Sequence, residues 1–278
     1  MTTVTSTTAG PAVPADHRPG FHHLLLSEWT KIRSVRSTVW SLILLVVIDL
    51  GFTALFVGIM VSQWDKASPA DHANAVADPT NAILGSGFFL SQLTVCVLGV
   101  MVMASEYSTG MIRASLLAVP RRLPMLVAKA TVFGLLILVL GTVVSFASFF
   151  IGAPMLHSKV AVSLGDPGVL RAVIGGGLYL AVLGLFAMAL GGIIRHTAAG
   201  ITAVIGFVLV LEPLVQLLPG SFGKHVHAYL PSEAGHLIAQ AHQAKDDLLT
   251  PWQGFGVFCV WTAVLLVIAA IVLKRRDA

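Results

Sequence analysis

Hydrophobic and polar positions along this chain fall into blocks, not into the short alternation of strands. Six long apolar runs stand out, at Val39–Val61, Ala82–Ala104, Leu126–Gly152, Leu170–Ile194, Ala198–Leu218 and Trp252–Leu273. Each reaches the roughly 20 apolar residues that a helix needs to cross a bilayer. Hydrocarbon offers the backbone no hydrogen-bond partner, so spans are helices or closed barrels. Barrel strands alternate and are about ten residues long. The pattern therefore predicts an all-α integral membrane protein with six transmembrane helices, filling residues 39–273.

The polar blocks between the runs differ in character. Met1–Gly20 is rich in Thr, Ala and Pro without periodicity, which predicts a disordered tail. Leu24–Leu26 is too short for the apolar core of a cleavable signal, so the first span is expected to direct insertion. In residues 21–38 the apolar positions Leu25, Trp29, Ile32 and Val35 recur at helical spacing, with basic residues off the stripe. That predicts an interfacial helix anchored by Trp29, Lys31, Arg33 and Arg36. The outer loop, residues 219–251, contains a helix-compatible stretch, Ser232–Ala244, with Ser232 as N-cap and Ala234, Leu237, Ile238 and Ala241 on one face. Ser105–Lys129 is the most elaborate connection. It holds a Glu-Tyr pair, a Gly, an Arg, a short amphipathic stretch and a Pro-Arg-Arg stop, as a surface meeting something at the membrane face would.

Composition agrees with the block pattern: 56% of residues are hydrophobic and 11% charged, against about 25% charged in soluble domains. The net charge of +4 matters less than its placement. With both termini inside, 12 of the 17 Lys and Arg residues fall on the inner side, as the positive-inside rule requires. Ser105–Lys129 and the tail 274–278 are then cytoplasmic. The two cysteines, Cys96 and Cys259, lie in spans and imply no disulfide framework.

Candidate chemistry is sparse. Asp49 and Glu212 are ionisable residues inside spans, where such groups are costly and often functional. Glu212 precedes Pro213, which would kink the fifth span and free a carbonyl. The pair reads as pathway, gate or structural acid, and Asp49 as an interhelical hydrogen bond. His225, His227, His236 and His242 sit in the outer loop near Glu233, Asp246 and Asp247, but H-x-H spacing alone does not specify a metal site. No metal and no cofactor is expected in this chain. G-x-x-x-x-G-K-[ST], H-E-x-x-H and G-x-S-x-G are all absent from the sequence, so it is not expected to be an enzyme. Small residues at Gly177–Ala181 and Ala187–Gly191 offer close helix contacts.

Four segments, taken in order, carry a family resemblance. S-E-W-T-K-I-R-S-V-R-S-T-V-W at Ser27–Trp40 and S-E-Y-S-T-G-M-I-R-A-S-L-L-A-V-P-R-R at Ser105–Arg122 resemble membrane subunits of ATP-binding-cassette exporters, of the type-2 permease class and actinobacterial in style. I-I-R-H-T-A-A-G-I at Ile193–Ile201 and L-E-P-L at Leu211–Leu214, followed by L-P-S-E-A-G-H, fit the same pattern. The resemblance implies that residues 21–38 form a connecting helix. It implies that 105–125 form a coupling segment that docks on an ATPase, with Glu106, Tyr107, Gly110 and Arg113 in it. Glu106 and Arg113 would then supply an ion-pairing rim, Tyr107, Met111 and Ile112 an apolar anchor, and Pro120 the stop. Short outer helices would dip into the membrane before the last span. Two copies of a separate ATPase, a second permease (identical or homologous), membrane lipid and an unidentified exported substrate are the implied partners, with no nucleic acid. The bacterial cytoplasmic membrane is the implied location. An ATP-independent secondary transporter and a membrane anchor or assembly protein without transport are the alternatives.

Overall fold

A computed structural model of the chain describes residues 20–110, 122–244 and 247–275, apart from the side chains of Arg122 and Glu212. The expected tail at 1–19, Met111–Arg121 with Arg113, Lys245 and Asp246, and 276–278 lie outside the described residues. Among those described there is no strand, and six helices are long and apolar enough to cross a membrane. The protein is an all-α, multi-pass membrane protein.

Helix α1 runs Phe21–Ser34 and α2, the first span, Arg36–Ser62. Between them Val35 leaves the helical region (φ −82°, ψ 107°) while its N–H still bonds the Lys31 carbonyl at 3.1 Å. One extended residue thus redirects the chain from α1 into the span. The face that α1 buries is Leu24, Glu28 and Ile32, at four-residue spacing. It is turned from the stripe seen in the sequence. Of that stripe only Ile32 is buried, while Trp29 and Val35 are exposed. Glu28 is drawn inward by a charge on a distant helix, and the apolar stripe does not decide the facing.

A short helix, α3 (Pro69–Ala77), follows at the opposite end. It is fixed by a capping box in which Ser68 and Asp71 exchange hydrogen bonds, with Pro69 at the first helical position. The next spans are α4 (Pro79–Ser108), α5 (Arg122–Leu156) and α6 (Val169–Ile194). Helix α6 is the centre of the molecule, packed between α4 and α5. Apolar side chains gain little by leaving lipid for each other, so close backbone approach must hold spans together. At the crossing of α4 and α6 a Cβ on Gly99 would stand 2.5 Å from the Gly184 carbonyl oxygen. Only glycine fits there.

The fifth span, α7 (Thr197–Gln216), is not uniform. Its middle turn, Gly206–Val210, is a π-helix, with the Leu211 N–H bonding the Gly206 carbonyl. Pro213 lies just beyond; it has no N–H, and its ring crowds the Leu209 carbonyl four residues back. The expected kink therefore takes the form of one widened turn.

Two short helices, α8 (Gly220–Ala228) and α9 (Pro231–His236), lead to the last span, α10 (Pro251–Arg275). The stretch expected as one helix over 232–244 is shorter. Leu230 is the N-cap, Pro231 starts the helix, and a 3-10 turn ends it at Ala239. Other helices supply what the missing turns would have bonded. Arg171 donates to the carbonyls of Ile238 (3.3 Å) and Ala241 (3.0 Å), and Asp78 accepts from the N–H groups of Ala241 (3.1 Å) and His242 (3.3 Å). The expected apolar face does form, with Ala234, Leu237, Ile238 and Ala241 all buried.

Candidate functional site

The last turn of α4, directly before residues 111–121, is where the charges converge. Glu106 is 5% exposed and Lys129, on the first turns of α5, 3% exposed. The Lys129 Nζ donates to Glu106 Oε1 at 2.8 Å and to Glu28 Oε2 at 2.7 Å. Lys31 Nζ closes the ring, donating to Glu28 Oε1 at 2.8 Å and Glu106 Oε1 at 3.2 Å. Two acids and two bases from α1, α4 and α5 form a set with no net charge. Burying such charges is affordable only when each is paired and hydrogen-bonded.

The ring's geometry shifts the groups on α1 in opposite directions. Burial of Glu28 by itself disfavours ionisation, but Lys129 and then Lys31 outweigh it and hold the carboxyl below the usual carboxylate range. Burial likewise works against the Lys31 ammonium, and the hydrogen bond to Glu28 with the charge of Glu106 pushes it above the ordinary lysine value. Among the described residues Glu106 Oε2 has no hydrogen-bond partner.

Tyr107, the next residue, faces the other way round the helix. The Arg195 guanidinium lies over its ring, 4.7 Å from the centroid, a cation–π contact. Arg195 ends α6 in the left-handed region (φ 60°), and its Nη2 donates to the Val272 carbonyl of α10 at 3.1 Å. Two consecutive residues of α4 thus reach α1 and α5 on one side, and α6 and, through Arg195, α10 on the other. Gly110 follows at φ 70°, a backbone state that glycine tolerates, and no described atom lies within 4 Å of where a Cβ would stand.

The resemblance implies that Glu106 and Arg113 supply an ion-pairing rim; the structure buries Glu106 and bonds it to Lys129 and Lys31. Arg113 falls outside the described residues. Trp29, Arg33 and Arg36 are exposed, Trp29 beside Thr131 and Leu135 of α5, while Lys31 is partly withdrawn into the ring. Glu28 and Lys129 are the residues that sequence reading missed. The signals were an acid between Leu24 and Ile32 at four-residue spacing, and a lysine three residues inside an apolar run.

Comparison with protein-family models gives no match, and comparison with curated proteins gives none.

The remaining candidates separate cleanly. Asp49 is buried in α2 and accepts from Ser91 of α4 and Ser148 of α5, each at 2.6 Å, so it joins three spans as an interhelical tie. Pro213 is exposed near the widened turn, and the side chain of Glu212 lies outside the described set. No three metal-ligating side chains converge among the described residues. His225 contacts the Ser221 carbonyl, His227 the Gln216 amide and His236 the Gln240 amide.

Proposed function

We propose that the chain is the membrane subunit of an ATP-driven exporter of the ATP-binding-cassette type-2 permease class. In this reading it works as a dimer of six-helix halves and is driven by a separate ATPase docked at the charged, cytoplasmic face. The observation that carries the reading is the hub at Glu106-Tyr107. A force applied to residues 111–121 reaches four other helices through two adjacent side chains, one buried in an ion-pair ring and one under a guanidinium. A polar loop serving only to set topology has no need of such gearing. The chain contributes no chemistry of its own. ATPase closure pulls the coupling segments, the hub passes the displacement to α1, α5, α6 and α10, and the two halves repack to open the pathway outward.

The test is purification of the full chain from its native membranes with its associated proteins, followed by reconstitution in liposomes. A bound ATPase whose turnover rises when the membrane subunit is present is the expected result. Glu106→Gln combined with Arg113→Ala should insert normally and lose that stimulation. Glutamine keeps the shape but removes one charge of the buried ring, so the thermal unfolding of the variant is measured beside stimulation, and the Arg113→Ala single variant decides the matter if the double variant does not fold. Unaltered stimulation in the double variant, or no ATPase in the preparation, overturns the reading.

A further inference from the structure

Helix α1 is tied to the third span, α5, where Glu28 bonds Lys129. Beginning two residues after Lys129, an apolar groove of about 470 Å³ lies between the two helices. Leu25, Leu26 and Trp29 line it from α1, and α5 lines it from Thr131 through Leu135 to Val139, eight residues or about 12 Å of helix. The hydroxyl of Thr131 is turned into its own helix, donating to the Val127 carbonyl at 2.8 Å. What the groove presents is hydrocarbon, and much of it is open: Leu26 is 54% exposed, Leu135 56% and Val139 63%. This part of α5 belongs to a stretch long and apolar enough to cross a membrane, so acyl chains are the medium around it. Two helices bound a chain lying there on two sides, as the convex flank of a single span does not.

Charge at the rim has one sign. Arg33 lies four residues beyond Trp29, on the same side of α1, and Arg36 follows at the start of α2. Both are exposed, and neither enters an ion pair among the described residues. The single acid of α1 is Glu28, which is buried and spent on Lys31 and Lys129. The Trp29 indole, between the groove and Arg33, has an apolar body and a polar N–H, which suits the boundary of hydrocarbon and headgroup.

We propose that this groove holds one acyl chain of an anionic phospholipid, with the headgroup phosphate at Arg33 beside Trp29. The apolar walls take the chain, and the uncompensated arginines select the charge. The site exists only where α1 stands beside α5, so a bound lipid favours that seated arrangement by mass action. Binding is a property of this chain alone and does not rest on the exporter reading.

The full chain is placed in nanodiscs of equal phosphatidylglycerol and phosphatidylcholine with identical acyl chains. Lipids that stay bound on release are identified by native mass spectrometry. A retained phosphatidylglycerol is expected, enriched over phosphatidylcholine, and Arg33→Gln should lower that enrichment about fivefold. Leu135→Trp, which fills the groove from α5, should remove one retained lipid. If it does not fold, Leu26→Trp, filling the groove from α1, decides the matter. Val47→Trp, at an exposed position of α2 outside the groove, should leave retention unchanged. The assignment is overturned by no retained lipid, by equal retention of the two headgroups, or by retention indifferent to both groove variants. The same spectra report oligomeric state: if the groove variants convert a dimer to monomer, the groove is an interface between copies and the lipid assignment falls. No ATPase is present in this experiment, so its failure is separate from failure of the coupling test.

Discussion

Lys129 is the residue on which the charged ring depends. It is buried and bonds both acids, so Lys129→Met leaves Glu28 and Glu106 facing each other with only Lys31 between them. Breaking one partner of a buried pair typically costs about 3–5 kcal/mol. The variant is expected to unfold at clearly lower temperature in nanodiscs, and a Glu28→Gln, Lys129→Met double variant to recover part of the loss. Protons should act on the same ring. The folded state holds the Glu28 carboxyl below its ordinary 4.5, so its contribution is complete above that value and fades as pH falls through the lowered one. Lys31 is raised above 10.5, so its contribution is complete below that value and fades as pH rises through the raised one. Thermal stability measured against pH should therefore show a plateau between these limits, with the acid shoulder absent in Glu28→Gln.

At the scale of elements, the spans depend on backbone approach more than on side-chain bulk. Gly99→Leu forces α4 from α6 and is expected to destabilise by about 1–3 kcal/mol or more. Gly51→Leu, where an added Cβ meets nothing within 4 Å, should be silent in the same thermal assay. The segment after α9 is held by side chains of other helices. Asp78→Ala should accordingly speed hydrogen exchange at the Ala241 and His242 amides, and at Asn81 in the first turn of α4, which Asp78 also caps, with little change deeper in the spans. The six spans were legible because run length is a local property that burial does not alter. The facing of α1 was not, since it depends on Lys129, 101 residues away along the chain. The stop of α9 was hidden likewise, because Arg171 and Asp78 replace its helical hydrogen bonds from outside. Asp49 was legible as a tie, though which serines it would meet was not. Glu106-Tyr107 stood out in the sequence, but its inward partners belong to three-dimensional space.

For the whole molecule, α4 carries the hub in its last turn and crosses the central helix at Gly99, while Asn81, Phe88 and Gln92 toward its other end line a cavity. Helix α4 therefore joins the charged ring to the central helix and to that cavity. Under the exporter reading, Tyr107→Ala should weaken stimulation of ATPase turnover while leaving ATPase binding to the membrane subunit intact. Measuring turnover and binding on the same preparation separates transmission from recognition. Loss of both together would place Tyr107 in the folding of α4 and not in coupling.

The ring also has a consequence for the order in which the protein is made. Glu28 leaves the ribosome 101 residues before Lys129, and Glu106, the other acid, also comes long after α1. Until the third span arrives, α1 lacks both its bonds to Lys129 and its packing on α5, and only its own Glu28–Lys31 pair and the longer Lys31–Glu106 contact to the second span can tie its charges. Its seating against the bundle is then a late step in assembly. Nascent chains halted before residue 129 should expose α1 to protease, and chains extended through α5 should protect it.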